Sequence, residues 1–470
     1  MEVSLLGPVT LLAGIACLFA RSETAIYWLM FFSIANAAGT FSISGFGLPP
    51  VNMFALFFCL RAVLLPYGTA VAVSSLRPPK AGFYLAMLVV LGVISAVFFP
   101  RIMQGATFII FADRGLESQD TLLMRPLSGG SGNITQTFYL LEALAVFTAA
   151  HVYARYVAAE VLLRAFLFLA LLNLAFAAFD VISDALGASY LMAPFRSGGY
   201  SILSQQVVGG IRRIIGSFPE PSSFASFSFQ MFAGSFIMWH MSFGGRTMLL
   251  AMIANLMLLI VSTSTTGYVA LAVITLMFLS WLLYSFFARG WLRRSGIAMF
   301  GIAFVGLAAA GFYAFELVPT AVSTVLGETL NKNDSVSAIE RGAMNNQAWS
   351  NFTDTYGLGA GLGSARASSF FFVMLSNLGV VGAFLFLIFT AQLLLAGRPA
   401  DRNSDRASIL AKSQVVSILI CACISGGVFD LGTQFYFWAG IVSALAIAAR
   451  RSGVNAPSRH HAYASAEGAH

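Results

Sequence analysis

Arg212, Arg213, Arg341 and Arg366 all lie in polar stretches that interrupt an otherwise apolar chain. A guanidinium is a planar fork that donates two parallel hydrogen bonds to phosphate oxygens, so arginines gathered in this way suit a diphosphate. The first two precede Gly216-Ser217-Phe218-Pro219-Glu220-Pro221-Ser222, in which an acid is set between two prolines. Proline locks φ and restricts the residue before it, so Glu220 is expected on a stiff, extended segment. A carboxylate held there is placed to take the proton of an attacking hydroxyl. Glu340 and Asp354 are the next candidates for that role. The plainer alternatives are that Glu220 orients Arg213, or that the arginine pair serves Glu220 or lipid headgroups.

Two further stretches carry polar chemistry. Residues Ser337 to Trp349 have helical spacing, which puts Arg341 and Asn345 on one face of a short amphipathic helix lying on the bilayer. The run Gly357-Leu358-Gly359-Ala360-Gly361-Leu362-Gly363-Ser364-Ala365-Arg366 follows. Its alternating glycines allow close approach of backbone N–H groups to an anion, with Gly361, Gly363 and Ser364 as the cradle. A simple turn before a helix is the competing reading. The hydroxyls of Ser262 to Tyr268 are placed to bind sugar or, alternatively, to hydrogen-bond between helices. Glu142, Asp180, Asp184 and Asp430 fall in or beside apolar segments, where acids are functional candidates without an evident partner. There is no HExxH, no acidic metal cluster and no phosphate-binding GxxxxGK[ST] sequence, so neither a metal, a nucleotide nor any other cofactor is expected.

These residues need a frame, and composition says which. Apolar residues make up 58% of the 470 and charged residues only 10%, with a mean hydropathy of +0.83. A water-soluble domain carries roughly 25% charge, so this is an all-α polytopic membrane protein. Spans are expected at about 4–20, 24–42, 50–75, 81–100, 135–157, 161–183, 223–242, 246–264, 266–288, 296–316, 368–396, 409–427 and 432–449. That makes about 12–14 helices in a single transmembrane domain over 1–449. Arg61, among Pro49, Pro50 and Pro66, marks the third span as broken or re-entrant. The four cysteines sit in apolar spans as small buried side chains, and no cleaved signal peptide is expected.

The net charge of +7 serves orientation rather than nucleic-acid binding, since no basic run with interleaved aromatics exists. Arg77 and Lys80; Arg155 and Arg164; Arg246; Arg289, Arg293 and Arg294; Arg398, Arg402, Arg406 and Lys412; and Arg450 and Arg451 lie in links separated by even numbers of spans. They therefore share one face, the cytoplasmic one. The long intervals at about 101–134, 184–222 and 317–367 then lie outside, and the 450–470 tail is a disordered cytoplasmic segment.

Arg213-x-x-Gly216-x-Phe218-Pro219-Glu220-Pro221-Ser222 before a span, a Ser/Thr-Thr-Gly turn, Arg341, and the glycine run to Ser368-Ser369 before Leu378-Gly379-Val380-Val381-Gly382 occur in one order. That order resembles the O-antigen ligase and polymerase superfamily of bacterial surface-polysaccharide enzymes, over residues 200–395. The resemblance implies a GT-C-like helical glycosyltransferase in the bacterial inner membrane, with its C-terminus cytoplasmic and its active site at the periplasmic boundary. It implies undecaprenyl-diphosphate-linked glycans as donor and acceptor, surrounding membrane lipids, and a chain-length regulator and export machinery as partners. On matching positions Arg213 and Arg341 hold the diphosphate with Arg366 as a third contact; on chemical grounds Glu220 is the first candidate for the base, and Tyr268 a candidate substrate contact. Arg212 stands at the edge of this set as a lipid or structural contact. Thr266, and Ser368-Ser369, stand where ligases tend to carry arginine and histidine, which favours a polymerase of exopolysaccharide or O-antigen repeats over a ligase. The rival classes are a flippase or transporter of lipid-linked oligosaccharide and a non-catalytic export scaffold.

Overall fold

The computed structural model describes residues 2–43, 46–110, 124–198, 207–208, 211–289, 294–316 and 336–454. Helices dominate: α1 (Leu6–Phe19), α2 (Ser22–Ile34), α3 (Pro50–Leu64), α4 (Gly68–Ser75), α5 (Ala81–Ile102), α6 (Ser131–Tyr153), α7 (Ala159–Ala185), α8 (Pro221–His240), α9 (Gly245–Val261), α10 (Thr265–Arg289), α11 (Arg294–Glu316), α12 (Val336–Asp354), α13 (Phe370–Leu394), α14 (Arg402–Ser425) and α15 (Thr433–Val454). Short antiparallel pairings fasten the connections. β1 (Glu2–Val3), β2 (Phe41–Ile43) and β3 (Phe46–Gly47) form one group, β4 (Phe108–Ile110) pairs with β5 (Met124–Pro126), and β6 (Val207–Val208) pairs with β7 (Ile211–Arg212).

Each expected span falls on a helix, and the surface helix expected around Arg341 is α12. Of the intervals expected at about 101–134, 184–222 and 317–367, residues 111–123, 199–206, 209–210 and 317–335 lie outside the described residues, as does the tail beyond 454. The final helix continues through Arg450 and Arg451 to Val454, five residues into the expected tail. Among the described residues, α5, α7, α10, α13 and α14 are long and apolar enough to cross a membrane. The pair α3 and α4, bent by 108° around Pro66, is a sixth candidate. The chain is thus a multi-pass membrane protein. Helices such as α6 and α8 fall short in apolarity because they face protein rather than lipid: α6 buries Asn133, Glu142 and His151, and α8 buries Ser228 and Ser235.

Polar side chains set the register of this interior. Asn173 of α7 donates to Ser228 of α8 (3.1 Å) and to Asn255 of α9 (2.8 Å). Gln414 of α14 donates to the Gln230 carbonyl of α8, and Gln434 of α15 to Ser33 of α2. Such bonds are worth roughly 0.6–2 kcal/mol each in membrane bundles, and they select one register among many apolar ones. At the far end of α8, Arg406 caps the Met241 and Ser242 carbonyls. A helix of α8's 20 residues is about 30 Å long, which separates that basic end from Glu220 at the other.

α13 is not one continuous helix. Gly379 has φ 62 and ψ −159, so the helix breaks there. The glycine run is laid into the break: Ala360 N donates to Ser376 O (2.7 Å), Gly361 N to Asn377 O (3.0 Å) and Val380 N to Gly357 O (3.0 Å). Gly357, Gly359, Gly361 and Gly363 all take positive φ, a conformation open mainly to glycine. A Cβ on Gly379 would run into the Gly357 carbonyl oxygen, and one on Gly361 into that of Ser95. Gly379 is therefore a structural break rather than the ordinary packing glycine of a straight span. Gly379→Ala is expected to destabilise the detergent-solubilised protein by about 2–4 kcal/mol, from positive φ and backbone overlap together. Gly311→Ala, where an added Cβ meets nothing within 4 Å, serves as the control and should unfold like the parent in the same thermal or SDS titration.

Candidate functional site

Asp180, 1% exposed near the end of α7, organises the segment that carries the predicted site. Its Oδ1 receives Arg196 (2.7 Å) and Arg212 (2.9 Å), and its Oδ2 accepts the backbone N–H groups of Ile215 (3.1 Å) and Gly216 (2.9 Å). The Gly216 carbonyl in turn accepts from Arg196 (2.6 Å). Ser217 donates to the Ile34 carbonyl at the end of α2, and Ala37 N donates back to Ser217 O (2.8 Å). The 211–220 segment is thus fixed to α7, to the 3-10 helix Ser189–Arg196 and to α2 before α8 begins. Arg212 also pairs with Asp184 (3.2 Å). Two carboxylates engage its guanidinium, so of the diphosphate, lipid and structural contacts considered for it the structural one is seen.

Arg213 points elsewhere. It donates to the Ser262 carbonyl (3.3 Å) and to the Thr263 carbonyl (3.1 Å) in the turn between α9 and α10. Burial pulls its guanidinium below the ordinary value, while the neighbouring Tyr268 and Glu220 oxygens act in the opposite sense. The Tyr268 hydroxyl, expected to touch substrate, spends its proton on Ile260 O (2.7 Å). Glu220 is the extended residue that precedes α8, with Pro221 in the first helical position, where a missing N–H does no harm. Ser222 and Ser223 donate to its Oε1, and Oε2 makes no hydrogen bond among the described residues. No ion pair joins Glu220 to either arginine among the described residues.

Glu220 lines a cavity of about 450 Å³ at the end of the bundle where α2, α3, α8, α14 and α15 meet. Asp430, in the loop between α14 and α15, lines it too. Its backbone N–H donates to Gln136 (3.2 Å), and its Oδ1 accepts from Gly432 N (2.9 Å). Burial raises its pKa and the Gly432 N–H opposes the rise. Asn52, Thr433 and Gln434 complete the polar wall. Sequence reasoning noted Asp430 only as a membrane acid and passed over the others. Its signal was the position itself, an acid in a short glycine-rich link between two apolar helices.

The remaining arginines form a second group. Asn345, one turn from Arg341 on α12, accepts the Ser368 N–H (2.8 Å), and Arg366 N donates to Ile110 O of β4 (3.3 Å). Both guanidiniums belong to exposed residues. The segment that carries Arg366 runs behind the cavity wall, since a Cβ on Gly427 would stand 3.4 Å from the Ala367 carbonyl oxygen. Among the described residues no hydrogen bond or ion pair links Arg341 to the Arg213 group.

The predicted anion cradle is absent from the glycine run. The N–H groups of Gly359, Ala360, Gly361 and Leu362 are taken by Thr355, Ser376, Asn377 and Ser95, and those of Ser364 and Ala365 by Gly361 and Asn377. The Ser364 hydroxyl accepts from Asn133, and a Cβ on Gly363 would meet the Gly132 carbonyl. Gly361, Gly363 and Ser364 therefore build the frame. Asp354, a reserve base, accepts from Thr107 (2.7 Å), and Glu340 lies half-buried on α12.

No family model, curated protein or solved structure matches the chain. The hub at Asp180 can be tested directly. Asp180→Ala removes the carboxylate shared by Arg196, Arg212 and two backbone N–H groups, a loss of about 3–5 kcal/mol. Trypsin is then expected to cut after Arg212 or Arg213 at least tenfold faster in the folded protein, whereas Asp184→Ala, at a half-exposed acid, should leave the rate within twofold. Equal rates in the two variants would remove the hub role.

Proposed function

We propose that this protein is a metal-independent glycosyltransferase that polymerises lipid-diphosphate-linked oligosaccharide repeats at the outer boundary of a bacterial inner membrane. In this reading 12–14 of the helices span the bilayer in a GT-C-like arrangement, with the basic links and the C-terminus cytoplasmic. The observation that carries the proposal is Glu220, held at a cavity wall with one carboxylate oxygen unengaged among the described residues and a half-buried guanidinium, Arg213, close to it. The resemblance of the residue pattern to the O-antigen polymerase and ligase superfamily supplies the substrate class: undecaprenyl-diphosphate-linked glycans as both donor and acceptor.

The step follows from this arrangement. A hydroxyl oxygen of one glycan forms a bond to the anomeric carbon of another, and its proton passes to Glu220. The bond from that carbon to the diphosphate oxygen breaks, and the electron pair leaves with the diphosphate. Negative charge grows on the departing oxygen, so fixed guanidiniums favour the transition state over the bound substrate. Arg213 is the inner contact, and the exposed Arg341 and Arg366 accommodate the outer phosphate and the lipid side.

Arg213→Ala and Arg341→Ala are each expected to cut polymer by at least about 100-fold with the protein at parental abundance in the membrane, and Glu220→Gln by a similar factor. Polymer of normal length and yield in both arginine variants would refute the assignment. The deletion strain discriminates among neighbouring activities: single repeats on lipid outside indicate a polymerase, unattached polymer a ligase, and repeats retained inside a flippase.

A further inference from the structure

The cavity itself differs in character from the arginine groups that flank it. Among the described residues that line it are two carboxylates, Glu220 and Asp430, and no Arg, Lys or His. Two acids with no cation between them repel a diphosphate and accept hydrogen bonds from hydroxyls. Thr433, the first residue of α15, lines the cavity at 7% exposure, and its Oγ1 has no partner among the described residues. A buried hydroxyl left in that state is costly unless a ligand satisfies it. Asn52 is held from behind: its Nδ2 donates to Glu142 (3.0 Å), which leaves Oδ1 without a partner among the described residues. Phe218 and Phe227 add apolar ring faces to the same wall, as a pyranose with its C–H surfaces requires. The volume of about 450 Å³ falls in the range of small-molecule sites, roughly 300–1,000 Å³.

We propose that this cavity is the subsite for the attacking sugar, read by hydroxyl contacts to Asp430, Thr433 and Asn52, and that the lipid diphosphate stays outside it with the arginines. The inference rests on the glycan-transfer reading above and divides that site into two parts of opposite charge. Glu220 stands at the boundary, facing the sugar with its carboxylate and Arg213 with its charge. The attacking hydroxyl is thereby selected by an acidic, cation-free pocket that excludes the anionic end of either substrate.

The test uses full-length protein in lipid nanodiscs and two probes: the oligosaccharide released by mild acid from the producing bacterium's own surface polysaccharide, and geranylgeranyl diphosphate. Thr433→Val and Asp430→Asn are each expected to weaken oligosaccharide binding at least tenfold while leaving geranylgeranyl diphosphate binding within twofold. Arg213→Ala should give the opposite pattern. Thr433→Val is close to isosteric and keeps the test valid should Asp430→Asn fail to fold. Oligosaccharide binding that is absent from the parent, or unchanged in Thr433→Val, overturns the assignment, and so does a loss of diphosphate binding in that variant. A parent that binds the oligosaccharide in the expected pattern, yet neither binds the diphosphate nor polymerises, leaves the sugar subsite standing and removes the polymerase reading.

Discussion

Asp180 accepts two guanidiniums and two backbone N–H groups near the end of an apolar helix, and the segment that leads into α8 is arranged around that exchange. A bare carboxylate at such a place is unfavourable, so the charge persists only with its partners in position. Those partners come from two stretches of chain beyond α7: the 3-10 helix and the 211–217 segment. Once they meet, the course of the following residues is largely decided. Ser217 is tied to the end of α2, proline brackets Glu220, and α8 starts in a defined direction. The charge network is thus a positioning device. It places a different acid, Glu220, without touching it.

A second device of another kind holds the opposite wall. The glycine run lies in the gap of a broken helix and satisfies the carbonyls that the break at Gly379 releases. Irregular backbone at membrane depth survives only where protein supplies its hydrogen bonds, and here two irregular segments supply one another. Glycine is required because the strands pass too closely for any side chain. The result is a support for Arg366 and for the loop with Asp430, built from backbone and uncharged side chains. One wall of the cavity is therefore held by ion pairs and the other by backbone contact.

This construction accounts for the mixture of charged groups in so apolar a chain. The guanidiniums are divided by use: Arg196 and Arg212 hold the fold, Arg406 caps a helix at the basic end, and Arg213 is kept close to Glu220 by the Ser262 and Thr263 carbonyls. Neutral carbonyls fix a guanidinium while preserving its attraction for an anion. The same division separates Asp180, saturated by partners, from Glu220 and Asp430, which keep surface toward the cavity.

Composition and periodicity carried the helical membrane class, the helix positions, the kink near Arg61 and the stiffness of Pro219-Glu220-Pro221, because each depends on local sequence or on apolarity averaged over a span. The pairing of Arg212 with Asp180 lay beyond them, since it joins residues 32 positions apart and either arginine would serve as well on charge alone. The glycine run was legible as a place of close backbone approach. What approaches it is Ser376, Asn377 and Ser95 rather than an anion, a distinction that alternation of glycine does not encode. Asp430, Thr433 and Asn52 become one wall only when α3 and α15 pack together at the same end of the bundle. Residue types decide which groups can bind and where the chain must be helical; long-range packing decides which of those groups are consumed by the fold and which are left for a ligand.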